Sequence, residues 1–176
     1  RLCAARSGWG TPLPANVGRG FACSSAMERR QPTWMAAVVQ VRVDPASGEV
    51  TVEKITCAVD CGIVVNPDGV RAQVEGAILF GLSTALKEYV TVTNGAFDQK
   101  NFEDYQVLRM DEVPEVELHV VDSTEPPTPA GIVTSNHWPT DISGIMVSTA
   151  NITGMLSTMA EIRPIATLAL VAPHSP

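Results

Sequence analysis

The sequence predicts an α+β fold in which antiparallel strands pack with one long helix, and three stretches carry that prediction. Two alternating runs, residues 35–43 and 49–55, flank Asp44-Pro45-Ala46-Ser47-Gly48, which is turn chemistry between strands. Asn66-Pro67 then introduces a segment in which Val70, Val74, Ala77, Ile78, Gly81, Leu82 and Ala85 recur at steps of three and four. That period lays one continuous apolar or small-residue face along a helix. Residues 116–121, finally, alternate in the manner of a half-buried strand.

Each element follows from local chemistry. The opening, with Gly8-Trp9-Gly10-Thr11-Pro12-Leu13-Pro14 and Gly18-Arg19-Gly20, reads as an irregular approach, because repeated Gly and Pro disfavour helix interiors and central strands. The two alternating runs form an antiparallel hairpin. Its second strand continues through Cys57-Ala58-Val59-Asp60, where polar alternation stops, as it does when a strand enters a core buried on both faces. Asn66 can cap orphan amides and Pro67 suits the first helical position, so the helix starts there and runs through Leu86. Tyr89-Val90-Thr91-Val92 followed by Asn94-Gly95 predicts a strand and a tight turn, and residues 98–105 a polar loop. Residues 130–176 carry only Asp141, Glu161 and Arg163 as charges, show no period of 2 or 3.6, and receive no predicted element.

Composition narrows the function. The 176 residues, 18.7 kDa, allow one ordinary domain. Twelve basic against 19 acidic residues leave a formal charge of −7, which excludes a general attraction to nucleic acid or anionic lipid. The longest apolar stretch, residues 76–86, falls short of the ~20 residues a membrane span requires. The chain begins Arg1-Leu2-Cys3 with no methionine and no leader, so its beginning is expected to be missing. Cys3, Cys23, Cys57 and Cys61 match neither paired CxxC knuckles nor a secreted disulfide framework and read as ordinary, partly buried thiols. Asn151-Ile152-Thr153 fits the glycosylation acceptor pattern, which without a leader reads as chance.

Few residues stand out as chemistry. Gln73 lies in the first two turns of the long helix, where a carboxamide either donates and accepts toward a ligand or stays a solvated surface group. Gly76, one turn on, either lets that ligand approach or serves as a helix-packing contact. The Asn66 end of the helix presents free amides and the positive end of the dipole. His119 reads as a surface position on its strand, while His137 and His174 lie in the uninterpreted tail. Glu75 and Glu88 are helix carboxylates, and Asp111-Glu112 and Glu115-Val116-Glu117 read as solvated acidic edges. No nucleophile elbow, Walker loop or GxGxxG occurs. The sequence assigns no catalytic residue and no metal ligand.

A longer pattern is more specific. The run Val59-Asp60-Cys61-Gly62-Ile63-Val64-Val65-Asn66-Pro67-Asp68-Gly69-Val70-Arg71-Ala72-Gln73-Val74-Glu75-Gly76-Ala77 resembles the molybdopterin-binding large subunits of the xanthine dehydrogenase/aldehyde oxidase family. The resemblance continues through Phe80-Gly81-Leu82-Ser83, Asn101-Phe102-x-x-Tyr105, Leu108-Arg109-Met110 and Val121-Asp122-Ser123-Thr124-Glu125-Pro126-Pro127. Arg30-Gln31-Pro32-Thr33-Trp34 is similar to segments of the isoquinoline 1-oxidoreductase beta-subunit branch. The match covers about residues 8–128 and divides the chain into 1–129, the C-terminal part of a molybdopterin-binding domain, and an unmatched tail, 130–176. It implies a molybdenum-pterin cofactor, as molybdopterin cytosine dinucleotide, in a complete enzyme. That enzyme would hydroxylate N-heteroaromatics or aldehydes with water as oxygen source, with an iron–sulfur small subunit and the rest of the large subunit as partners. The glutamine of the family's Gln-Val/Ile-Glu-Gly motif contacts the cofactor, and it falls on Gln73.

One departure matters. After Glu-Pro-Pro the family carries Gly-x-Gly-Glu, whose glutamate is the general base, but here Thr128-Pro129-Ala130-Gly131-Ile132-Val133 follows. A reading-frame change near Pro129 would account for both the lost motif and the loss of charge beyond it. The expectation is therefore a fragment of a molybdenum hydroxylase that is inactive alone, set against a non-catalytic binding or assembly domain on the same scaffold. Compartment stays open between cytoplasm and periplasm.

Overall fold

The computed structural model describes residues 1–28 and 31–128. In chain order it contains α1 (Leu2–Arg6), β1 (Val17–Glu28), β2 (Gln31–Val43), β3 (Val50–Asp60), α2 (Pro67–Leu86), β4 (Val92–Thr93), β5 (Ala96–Phe97) and β6 (Glu115–Val120), with a 3-10 turn at Met110–Glu112 before β6. Four strands form one sheet in the order β1-β2-β3-β6, and β4 and β5 form a separate small hairpin. The predicted α+β class stands, as do the β2–β3 hairpin and the extension of β3 to Asp60.

The core lies between α2 and one face of the sheet. Met35, Val39, Val41 and Val43 of β2 meet Ile55, Cys57 and Val59 of β3 and Val70, Val74, Ile78 and Leu82 of α2. Strand pleating sends alternate side chains to one face, which explains the odd-numbered set on β2. On β3 the parity changes, because the register slips between Gln40↔Lys54 and Val41↔Val52. The bulge leaves Glu53 as the extra residue, so Val50 and Val52 also pack on the core while Glu53 binds Gln40 and Arg42. On the opposite face, Cys3 of α1 is buried with Val38 and Ala58 and donates its thiol to Thr56 O at 3.2 Å.

Three elements differ from the sequence reading. The Gly-rich opening contains the twelve-residue strand β1, paired antiparallel along β2 from Val17↔Arg42 to Glu28↔Gln31. It is an edge strand, where Gly18 and Gly20 need satisfy only one neighbour, and Arg19 fixes it by donating to Gln40 Oε1 at 2.9 Å and Gly8 O at 2.7 Å. β6 runs parallel, not antiparallel, to β3, from Lys54↔Glu115 to Val59↔Val120. A crossover through α2 returns the chain to the sheet in the same direction. The third difference is residues 89–91, which form no strand. Thr91 N–H donates to the Gln99 side chain at 2.8 Å, so a carboxamide takes the place of a ladder partner. The Asn94-Gly95 turn itself forms as predicted, with φ of 52° and 82°, between strands of only two residues each.

Candidate functional site

The end of β3 delivers the chain to the start of α2 through a turn crossed by a second segment. Val121 N–H donates to Val59 O at 2.8 Å, Ile63 N–H to Glu125 O at 2.9 Å, and Thr128 N–H to Cys61 O at 2.9 Å. Residues 121–128 thus strap the exit of β3. Thr128 is fully buried, and its hydroxyl shares a 3.0 Å hydrogen bond with that of buried Thr33 on β2. At the crossing stands Gly62, with φ +72° and its amide held by Asp60 Oδ1 at 3.1 Å. A Cβ at this position would lie 2.2 Å from Pro126 O. Only glycine permits both that backbone conformation and that approach.

Four residues beyond Gly62, Asn66 adopts extended backbone and accepts the Gly69 N–H on its side chain at 3.1 Å, and Pro67 is the first helical residue. These are the cap and start read from the sequence. One and a half turns further in, Gln73 Oε1 is buried and has no hydrogen-bond partner. An unpaired buried acceptor costs about 1–3 kcal/mol, so it calls for a donor supplied from outside these residues. Gly76, on the same side of α2, is exposed, and a Cβ there would meet nothing within 4 Å. Of the two readings of Gly76, the space around it fits an approaching ligand better than a helix-packing contact, since the described residues put nothing beside a side chain at that position. An acceptor without a described donor, on a capped helix and one turn before a glycine with free space around it, has the chemistry to meet a flat ligand edged with N–H donors, and a pterin is such a group.

The remaining candidates are accounted for structurally. His119 is less exposed than expected, because its side chain is 18% exposed and its Nε2 lies 2.8 Å from Glu117 Oε1. Glu117 also pairs with Lys54 at 2.8 Å, which in turn holds Glu115 at 2.9 Å. The ammonium keeps the Glu117 carboxyl below the usual range. Glu75 pairs with Arg71, Glu88 accepts the Tyr105 hydroxyl, and Glu112 pairs with Lys87. Cys3, Cys57 and Cys61 are buried and Cys23 exposed. Burial pushes the Cys57 thiol up to about 12 and also raises Cys3 and Cys61, so these thiols are poor nucleophiles and ligands. Among the described residues no cluster of three or more His, Cys, Asp or Glu could hold a metal ion, and no helix is long and apolar enough to cross a membrane. His137, His174, Asn151 and the sequence that replaces Gly-x-Gly-Glu after Thr128 lie outside the described residues.

Sequence reasoning anticipated the Asn66 cap and singled out Gln73 as a candidate, but missed the strap and Gly62. A glycine between a buried strand and a capped helix, with two prolines 64 and 65 positions later, was the available signal.

Comparison with known proteins shows the family and the fold of the chain. Residues 15–114 match the family described as molybdopterin cofactor-binding domain. A membrane-bound aldehyde dehydrogenase (pyrroloquinoline-quinone) from Gluconacetobacter polyoxogenes is 44% identical over 124 residues, which is 70% of this chain and 16% of that protein. Isoquinoline 1-oxidoreductase subunit beta from Brevundimonas diminuta is 38% identical over 111 residues, 63% of this chain and 14% of that protein. Among solved structures, quinoline 2-oxidoreductase from Pseudomonas putida 86 superimposes with a TM-score of 0.58 at 20% identity, covering 82% of this chain and 19% of that chain. The last likeness shows the fold. The chain thus spans less than a fifth of the length of each of these proteins.

Proposed function

The chain belongs to the molybdopterin cofactor-binding domain family, of the kind found in xanthine dehydrogenase-type subunits, and from that premise we propose that it forms one wall of a pterin-binding groove in a molybdenum hydroxylase. The single observation that carries the reading is the buried, unpartnered Gln73 Oε1. In this reading the carboxamide accepts an N–H of the pterin and offers its own N–H₂ in return, while Gly76 leaves room for the ligand to lie against the helix. The strap at Gly62 holds residues 125–128 at the amino end of α2, so the groove is lined from two separate parts of the chain. When bound, the molybdenum cofactor supplies the oxidative chemistry.

The names of the relatives support aldehydes or N-heterocycles as the substrate class of the whole enzyme, and we assign the cofactor to the cytosine dinucleotide form. An iron–sulfur subunit is the partner that would carry electrons away. The name of the Gluconacetobacter relative carries pyrroloquinoline quinone instead, but the family match, spanning both β1 and α2, favours the pterin. Because no glutamate occupies the place of the family's Gly-x-Gly-Glu after Glu125-Pro126-Pro127, we assign no general base in this chain. A positioned acid or base contributes typically ~10²–10⁴-fold in rate, so turnover by the chain alone is expected to be lower by that factor than in an enzyme that carries the motif. That same observation favours the second reading, a binding or assembly domain on this scaffold.

The test is co-expression with an iron–sulfur subunit in a host that makes molybdopterin. Molybdenum by mass spectrometry and pterin by the fluorescence of its oxidised form are expected to copurify with the wild-type chain. Gln73→Leu should lower both about tenfold, while the apo chain becomes no less stable, because an unsatisfied acceptor has been removed. Equal cofactor content in the variant would overturn the role of Gln73. A wild-type chain carrying quinone in place of pterin, or neither, would overturn the function.

A further inference from the structure

The β4–β5 hairpin and the loop behind it border a shallow cleft of about 470 Å³, open to solvent and lined chiefly by Val90, Phe97, Phe102, Tyr105, Lys100 and Asn101. Its size lies within the range of small-molecule sites. The walls are braced from behind: Thr91 N–H donates to Gln99 Oε1 at 2.8 Å, Lys100 N–H to Asp104 Oδ2 at 3.2 Å, and the Tyr105 hydroxyl to Glu88 Oε2 at 2.7 Å. These bonds occupy the Gln99 side chain, the Lys100 amide and the Tyr105 hydroxyl, all on residues that line the cleft.

Two features say what such a cleft would take. Three of the nine aromatic side chains gather here, yet Phe97 and Phe102 are 65% and 92% exposed, so no core among the described residues accounts for the grouping. Of the three lysines, Lys54 pairs with Glu115 and Glu117 and Lys87 with Glu112, whereas Lys100 forms no ion pair among the described residues. The carboxylates of Asp98 and Asp104 are held by the Thr93 hydroxyl and the Lys100 amide, and neither residue lines the cleft. We propose that this cleft is a second binding site, for a flat aromatic carboxylate, with the ring against Phe97, Phe102 and Tyr105 and the carboxylate on the Lys100 ammonium. The proposal stands apart from the pterin reading, since no residue of α2 takes part.

Titration of the full 176-residue chain with 2-naphthoate, followed in amide ¹H–¹⁵N spectra, tests it. Saturable shifts are expected at residues 90–105, with 2-naphthoate bound about three- to fivefold more tightly than 2-naphthamide and more tightly than cyclohexanecarboxylate. Lys100→Gln should abolish the preference for acid over amide. Phe102→Ala should weaken both naphthyl ligands roughly five- to tenfold. Both substitutions are at exposed positions, so the far-UV spectrum is the control for fold. Absence of saturable shifts, equal binding of cyclohexanecarboxylate, or an acid preference that survives in Lys100→Gln would each overturn the proposal. So would concentration-dependent shifts of the same residues without ligand, which would assign the cleft to a second copy of the chain.

Discussion

Gly62 and Gly76 show how differently one residue type is used within fifteen positions. Gly62 combines φ +72° with a backbone oxygen 2.2 Å from where a Cβ would stand. Gly62→Ala is therefore expected to destabilise the chain by at least ~2 kcal/mol, since strain at a positive φ adds to a clash with backbone that cannot rotate away. Gly76 sits in a helix interior with open space around it, so Gly76→Ala should stabilise the apo chain by about 0.5–1 kcal/mol. The same methyl would intrude on a bound pterin, so cofactor content should fall as stability rises. Urea unfolding of both variants, with pterin fluorescence of the second, checks the pair. Cys57 makes a third residue-scale case. Burial pushes its folded pKa up to about 12, above the ordinary thiol value of 9.0, so the folded state holds its proton more tightly than the unfolded chain. The resulting stability is complete below about pH 9 and is lost as pH rises toward 12. Denaturant midpoints measured across that window should fall less steeply in Cys57→Val.

At the scale of elements, legibility followed the strength of the local signal. α2 was readable at both ends because Asn66, Pro67 and a three- and four-residue apolar step all point to one helix. The β2–β3 hairpin was readable because alternation and turn chemistry agree. β1 was not, since an edge strand is held by its neighbour's ladder and tolerates the glycines that disguised it. The bulge at Glu53 was hidden for a related reason: alternation over residues 49–55 looks continuous, and only pairing with β2 shows that one residue has dropped out of register. Parallel pairing of β6 with β3 is a property of two elements and a crossover, which no single window contains. Of the candidate site, the carboxamide was visible as a residue, but its burial and lack of a partner depend on packing that periodicity does not report.

For the whole molecule, the family pattern carried more than composition did. Charge and length set bounds, whereas the run from Val59 to Ala77 led to the same family that residues 15–114 match. The strap over Gly62 adds a consequence in time. Cys61–Thr128 and Ile63–Glu125 contacts join distant parts of the chain, while β2 and β3 meet across a short turn. Closing the larger loop costs more chain entropy and returns little until both ends are shaped, so the strap should dock late in folding. Pulse-labelled hydrogen exchange during refolding is expected to protect the amide of Val39 before those of Ile63 and Thr128. Until that last step the Gly62 turn stays open, and a nascent chain would be most vulnerable to proteases there.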